Sequence, residues 1–522
     1  MLKEYMVALK KGVDYNQVWN DIENLSPGLP HIPDRTVGIA NNLDSLDRIT
    51  HYFLTDEEAQ KLRDDPRVLG VQIPAEHRPE ITIKKNTIQV NNFTKTTSDS
   101  GDYVNWGLIR NSQLTNVYGT GTTTTEDYVY NADGSNVDVV IVDSGIQANH
   151  PEFQYLGNST SRLNQYIWYP GLNPTTYYTD VDGHGTHVAG IAVGKTYGWA
   201  KNSNIYSLKY SGLTMSDIAN YIITWHNSKT VNPNTGVTNP TVVNMSFGYA
   251  IDLANFNITS AYYRGNTIVS PGYGPSSVYG LIFGQNSVPY WDETYNAPVV
   301  QMTDAGIFVS IAAGNDSQKF DIPGGVDWDN DVTLAYQSNG TSIGSFWYMR
   351  GGSPTSASEI DPGDAVQVGA LTSVTYSATL DQKSSYSMAG PGVDIFAAGS
   401  NIMSACSNTN FYSGQPYYWN TSFKQVNIDG TSMAAPQVAG IAALYLQNNP
   451  TATPVQVKNA LLTIATTTMI GNVSTNPSGN DYSNTVSQWG GNAGVAYMPY
   501  NTLYNFVASG AIEMTNVTIN TE

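Results

Sequence analysis

The chain is 522 residues long and 40% hydrophobic, enough to bury a large core in two to four domains. Only 13% of its residues are charged, the net charge is −19, and no Lys/Arg cluster exists to build a basic face, which excludes a nucleic-acid partner. No stretch reaches the ~18 apolar residues of a membrane span, and the single cysteine, Cys406, allows no intramolecular disulfide and reads as a small, half-buried hydrophobe.

The N-terminus, "MLKEYMVALKKGVDYNQVW", breaks its apolar run with charges on both sides, so no signal peptide is expected. Tyr5–Leu9 reads as a strand, and Asn16–Leu25 as a helix with Val18, Ile22 and Leu25 on one face. "DRITHYFL" reads as a strand. "TDEEAQKLRDDP" reads as a helix opened by a capping box, Thr55 with Glu58, and stopped by Pro66. Val68–Ile73 is a last strand. Residues 1–82 thus predict a ferredoxin-like α+β unit of order β-α-β-β-α-β. Residues 83–105 are polar and weakly periodic and read as a linker.

From residue 106 to 522 the texture changes. Val137–Val142, Asn204–Leu208, Thr241–Met245, Gly306–Ile311 and Ala365–Leu371 are short apolar runs ending in polar residues or glycine. They alternate with helical patterns such as "SDIANYIITWH". Such runs predict a buried parallel sheet between two layers of helices, with chemistry at the carboxyl ends of the strands.

Four residues stand at those ends. Asp143 closes "VVIVD", and an Asx-turn explains it alone. His184 opens a helical pattern in "DGHGTHVAG", three residues before His187. One capping and one packing histidine would account for the pair. A metal is not expected, since neither a glutamate between them nor a third ligand appears. Asn315 follows a buried strand in "AAGN". Ser432 lies in "GTSMAAP", where an N-cap role for Thr431 or Ser432 suffices by itself. Pro436 reads as a first-turn proline, whose missing N–H costs nothing. Together the four are a working set. A serine nucleophile needs an imidazole to take its proton. The imidazole needs a carboxylate on its other nitrogen, and the developing oxyanion needs donors.

The motifs "VVIVDSGIQANHPEF", "GHGTHVAG", "NMSFG", "AAGN" and "GTSMAAPQVAG", in this order, resemble the subtilisin-like serine proteases, the S8 family. "GHGTHVAGIAVGKTYGWAK" is most similar to their proteinase K branch. The resemblance covers roughly residues 106–447. It implies a three-layer α/β/α domain that hydrolyses peptide bonds through Asp143, His184 and Ser432, with Asn315 as a side-chain oxyanion donor. It also implies that Ser246, Phe247 and Gly248 pair with an extended substrate, with Ala312, Ala313 and Gly314 in the pocket beside them. "YMVALKKG" and "LTDEEAQKLRDDPRVLGVQI" resemble the I9 propeptide of this family. That implies an intramolecular inhibitor, its tail beside Ser246–Gly248 and its body over the cleft mouth.

Departures from compact members bear on the rest. Segments at about 249–299 and 317–355 read as insertions near the cleft, forming a lid, a specificity wall or a docking surface. The chemistry requires no cofactor. "VGALTS" lacks the Asp that the proteinase K branch carries at a calcium site. "DWDND" (Asp327, Asp329, Asn330, Asp331) lacks the EF-hand glycine and reads as a solvated acidic turn, so structural calcium has no clear motif. Two readings follow. One is a self-inhibited endopeptidase acting on proteins or peptides. The other is an assembly component of a phage or other particle that keeps the protease fold. An extracellular or virion-associated place is favoured over the cytoplasm.

Overall fold

The computed structural model describes residues 1–23, 45–74, 105–112, 132–172, 179–269, 287–316, 319–348, 364–372 and 383–465. It also describes isolated residues between these and the backbone of 81–85, 88–89, 96–97 and 123–124.

The N-terminal unit runs β1 (Lys3–Leu9), α1 (Tyr15–Glu23), β2 (Gly38–Asn41), β3 (Ile49–Leu54), α2 (Asp56–Arg63) and β4 (Val68–Gln72). Its antiparallel sheet has the order β2-β3-β1-β4 that a ferredoxin-like unit requires. The capping box of α2 is made: the Glu58 N–H donates to the Thr55 hydroxyl, and the Thr55 N–H donates to the Glu58 carboxylate. Val7, Leu9, Val18, Tyr52, Leu54 and Leu62 fill the core between sheet and helices.

There follow β5 (Ile81–Lys85), β6 (Ile88–Gln89), β7 (Thr96–Thr97), α3 (Trp106–Ser112), β8 (Thr123–Thr124), β9 (Asp138–Asp143), α4 (His184–Val193), β10 (Asn204–Lys209), α5 (Met215–Asn227), β11 (Thr241–Met245) and β12 (Phe247–Asp252). Then come β13 (Phe256–Tyr263), β14 (Asn266–Val269), β15 (Ser287–Pro289), α6 (Glu293–Asp304), β16 (Phe308–Ala312), β17 (Asp331–Tyr336), β18 (Ser342–Trp347) and β19 (Val366–Leu371). The described elements end with β20 (Ile395–Ala398), β21 (Ile402–Cys406), β22 (Gln415–Tyr417), β23 (Asn420–Asp429), α7 (Thr431–Asn448) and α8 (Pro454–Ile464).

Six strands form the parallel sheet β10-β9-β11-β16-β19-β20. Every residue of β9 is buried, as the unbroken run "DVVIVD" requires of a strand covered on both faces. On one face α4 and α7 bury Val188, Ile191, Val438 and Ile441 against Val139 and Ile141. On the other, α5 and α6 bury Ile218, Ile222 and Met302 against Val140, Val142 and Val243. The result is the expected three-layer α/β/α arrangement.

The N-terminal unit docks on the second helical layer. Met6, Ala8, Leu43, Leu46 and Ile49 enter the same core as Ile218, Ala219 and Met302. Polar contacts ring this patch: Asn41 to Asp217 (2.7 Å), the Ser45 N–H to Asn220 (3.0 Å) and Lys11 to Asp304 (3.0 Å). The apolar face of its sheet dictates this position, so the body of the unit rests on α5 and α6 and its tail travels to the strand ends. Residues 83–85 and 88–89 of the expected linker are paired strands.

The two insertions meet. β13 and β14 from the first join β17 and β18 from the second in the antiparallel sheet β14-β13-β17-β18. Ile251, Phe256, Ile258, Val332, Leu334 and Phe346 form its core. Residues 270–286, 317–318, 349 and 351–355 of these insertions lie outside the described residues. The expectation of a solvated acidic turn at 327–331 holds at the exposed Asp329 and is corrected at Asp327 and Asn330. Asp327 is fully buried and accepts from Arg264 (2.6 Å), Lys319 (2.8 Å) and Asn330 (3.0 Å). Two cations and an amide neutralise a carboxylate that burial alone would destabilise. Cys406 is fully, not half, buried in β21, and burial pushes its thiol pKa up.

Candidate active site

Asp143 ends β9 and His184 begins α4, and the two are fully buried against each other. His184 Nδ1 lies 2.8 and 2.9 Å from the two Asp143 oxygens, and the Ser144 N–H holds Oδ1 at 2.7 Å. The helix starts at Gly183, whose φ of +96° suits glycine; a Cβ there would also stand 2.6 Å from Asn410 Cβ. The turn before it is locked by Asp180, which accepts from Ser144 Oγ, the N–H groups of Asp182, Gly183 and Thr186, and Thr186 Oγ1. Asp180 was missed in the sequence because its partners are three backbone N–H groups and two hydroxyls, one of them 36 residues away, which form no motif. His187 packs as expected: its Nε2 sits 3.0 Å from the carbonyls of Ile402 and Val426, and burial depresses its pKa to about 3.

The N-cap reading of Thr431 and Ser432 is overturned. Gly430 is the cap, and Thr431 and Ser432 are the first two helical residues of α7. Pro436 therefore lies inside the helix, not in its first turn. Lacking an N–H, it cannot bond the Ser432 carbonyl four residues back. That carbonyl accepts instead from Ser246 Oγ at 3.0 Å, and Ser246 Oγ is itself held by Asn244 at 2.9 Å. Ser432 Oγ in turn donates to the Ser246 carbonyl at 2.8 Å. The expected contact from Ser432 to His184 is not made: His184 Nε2 is buried without a partner while the hydroxyl rests on the competing carbonyl. Asn315, after β16, is oriented by Thr431, whose N–H and Oγ1 donate to its Oδ1 at 3.0 and 2.9 Å. Its Nδ2 is left buried and unpartnered.

A cleft of about 170 Å³ opens along Phe247 and Gly248, directly after the Ser246 that is bonded to Ser432. Phe247, Gly248, Ala312, Ala313 and Gly314 line it, together with Asp316, Met245 and Met388. The first insertion closes it with Tyr290, Trp291, Asp292 and Tyr295, which local sequence patterns did not mark. Burial next to Asp292 pushes the Glu293 carboxyl up to about 7, and burial pushes Asp429, three residues before Ser432, up to about 7.

Two strands from the N-terminal side frame the serine. β5 pairs antiparallel with β12, Lys85 opposite Phe247 and Lys84 opposite Gly248. β6 pairs with β23, Ile88 opposite Asp429. Among the described residues no group of three His, Cys, Asp or Glu side chains has a metal-holding arrangement. Among them too, no helix is long and apolar enough to cross a membrane.

Known proteins resemble this chain at three levels. An extracellular serine proteinase of Thermus sp. (strain Rt41A) is 29% identical over 423 residues, which is 80% of this chain and 70% of that protein. Subtilisin-like protease 1 of Arthroderma otae is 28% identical over 404 residues, 75% of this chain, which spans little more than half (56%) of the fungal protein. Fervidolysin from Fervidobacterium pennivorans, a keratinolytic enzyme related to subtilisin, superposes on 98% of this chain and 62% of its own, with a TM-score of 0.51 at 15% identity; that likeness supports the fold alone. The subtilase family model matches residues 134–488, the segment that carries all four strand-end residues, and the chain belongs to that family of serine proteases.

Proposed function

We propose that the chain is a self-inhibited serine endopeptidase. Ser432 Oγ attacks the peptide carbonyl while His184 Nε2 takes its proton. Asp143 fixes the imidazole tautomer and stabilises the imidazolium. Asn315 Nδ2 and the Ser432 N–H, in the first turn of α7, receive the oxyanion. His184 then protonates the leaving amine, and water hydrolyses the acyl-enzyme. One observation carries this reading: His184 Nε2 and Asn315 Nδ2 are buried without partners, while the other end of His184 is held by Asp143 and the other end of Asn315 by Thr431, the residue before Ser432. Unpaired buried groups cost about 1–3 kcal/mol each, and these two are an acceptor and a donor of the kinds the reaction needs. The chemistry needs no cofactor. The assembly-component alternative has no comparable observation behind it. Kinship with an extracellular proteinase supports an extracellular place.

Self-inhibition rests on β5 and β6. β5 pairs the tail with β12 up to Lys85, and β6 pairs it with β23 from Ile88, so the tail is held on the strand that follows Ser246 and on the strand that leads into α7. A tethered strand competes with substrate at an effective concentration near the millimolar range. The wild-type chain should cleave itself between Lys85 and Ile88, and a Ser432→Ala chain should stay whole. Intact-mass measurement reads this directly; wild-type protein that stays intact, or breaks only elsewhere, defeats the proposal.

The cleft lining predicts a preference for large apolar or aromatic side chains before the cleaved bond, with Asp316 adding tolerance for basic ones. A peptide-library profile dominated by acidic residues at that position would contradict it.

A further inference from the structure

We infer that the first insertion carries a second substrate-recognition site, a cage for a basic side chain well upstream of the cleaved bond. This rests on the endopeptidase reading for its purpose, though not for its geometry. The cage is occupied in the structure by the chain's own Arg78. Its guanidinium carbon lies 5.5 Å from the centre of the Tyr290 ring and 5.3 Å from that of Phe346. Arg78 Nη1 donates to the Tyr290 hydroxyl at 3.1 Å, and that hydroxyl donates to Asp292 Oδ2 at 3.1 Å. Two π-faces and a carboxylate relayed through a phenol form a recognisable site for a guanidinium.

The cage is built by the insertions and does not depend on Arg78. The Tyr290 N–H is fixed to the Tyr249 carbonyl of β12 at 2.9 Å. Asp292 is buried and caps α6, accepting from the Thr294 N–H at 2.7 Å. Phe346 sits in the β17–β18 ladder opposite Val332, and its ring centre is 6.2 Å from that of Tyr290. Burial raises the Asp292 pKa, and a cation at the Arg78 position favours its charged form.

The register fixes where a substrate residue must lie to reach the cage. Ile81 faces Ile251 on β12, and Arg78 precedes Ile81 by three residues. With cleavage between Lys85 and Ile88, Arg78 stands seven to nine residues before the residue that forms the acyl-enzyme. A substrate segment following β5 along β12 brings its own residue at that distance to Tyr290 and Phe346 once the tail has left. The insertion thus selects an arginine or lysine well upstream of the cleaved bond, on Tyr290 and Asp292 at the rim of the cleft, and the tail imitates such a substrate.

The test uses the full-length chain left to process itself. Peptides of one sequence carry a single Arg walked from five to eleven residues before the cleaved bond, with Gln as reference. Arg as the eighth to tenth residue before the cleaved bond should lower KM by about 5- to 10-fold relative to Gln, with kcat unchanged. Phe346→Leu keeps the apolar bulk but removes the ring; it should bring that ratio below about 2-fold and leave hydrolysis of the Gln peptide intact. Asp292→Asn, which preserves the helix cap, should weaken the Arg preference too. The same peptides with a reduced, uncleavable bond and a fluorophore are titrated by anisotropy. Cleavage or binding indifferent to the Arg position, or a preference that survives Phe346→Leu, overturns the cage and leaves the endopeptidase reading standing. Arg-dependent binding of peptides that are never cut sinks the endopeptidase reading and leaves the cage.

Discussion

Ser432→Ala is expected to abolish peptide hydrolysis, by about 10⁶-fold in kcat, the size such a removal has in a subtilisin. The loss should come without unfolding. Ser432 is fully buried, yet its hydroxyl makes one hydrogen bond, to the Ser246 carbonyl, so the change removes a single donor. The residue's backbone anchor, Ser246 Oγ to the Ser432 carbonyl, survives the change. A fluorophosphonate should label the wild-type protein at Ser432 and leave the variant unlabelled, while the melting temperatures stay within a few degrees. Residual hydrolysis above about one part in a thousand, or equal labelling of both chains, would assign the nucleophile elsewhere.

Asn315→Ala should cost roughly 10²–10³ in kcat with little change in KM, the signature of a donor used only when charge develops on the substrate oxygen. Thr431 holds the Asn315 amide by its oxygen, leaving Nδ2 as the free end. Orientation is thus supplied from the residue next to the nucleophile. Asn315→Asp separates the two roles. It keeps an acceptor for Thr431 but puts negative charge where the oxyanion forms, so it should be slower than the alanine variant. An Asp variant as active as wild type would remove Asn315 from the chemistry.

The central sheet was legible because its strands are short unbroken apolar runs, a pattern that burial on both faces imposes. β20 escaped because Ile395–Ala398 is too short to stand out from the loops around it. β2, "GIAN", was required by the predicted order but not located, for the same reason. The sheet of the insertions was not legible at all. Phe256–Tyr263 finds its partner in Asp331–Tyr336, and nothing local in either segment names the other. The site divides the same way. Asp143, His184, Asn315 and Ser432 lie in compact motifs at strand ends or helix starts. The hold of Asp180 on the His184 turn and the exchange of bonds between Ser246 and Ser432 are long-range facts. Pro436 was misplaced because the helix start was set two positions late, after Ser432 rather than after Gly430. With Gly430 as cap, the proline moves from a neutral position to one that removes a bond.

That missing bond bears on how much of the protein must move for the serine to act. The first turn of a helix normally frays, and a residue there samples several backbone states. The Ser432 carbonyl, freed by Pro436, is tied to Ser246 between two buried strands, and the Thr431 N–H is tied to Asn315. The peptide unit after the nucleophile and the one that enters Thr431 are thus clamped from outside the helix. What remains free is one torsion, the Ser432 Cα–Cβ bond. Passing from the Ser246 carbonyl to His184 Nε2 is then a rotamer change, a motion of picoseconds to nanoseconds where a side chain has room. Readiness for chemistry is decided by what occupies the cleft, since no loop has to fold and no helix has to shift before the serine turns.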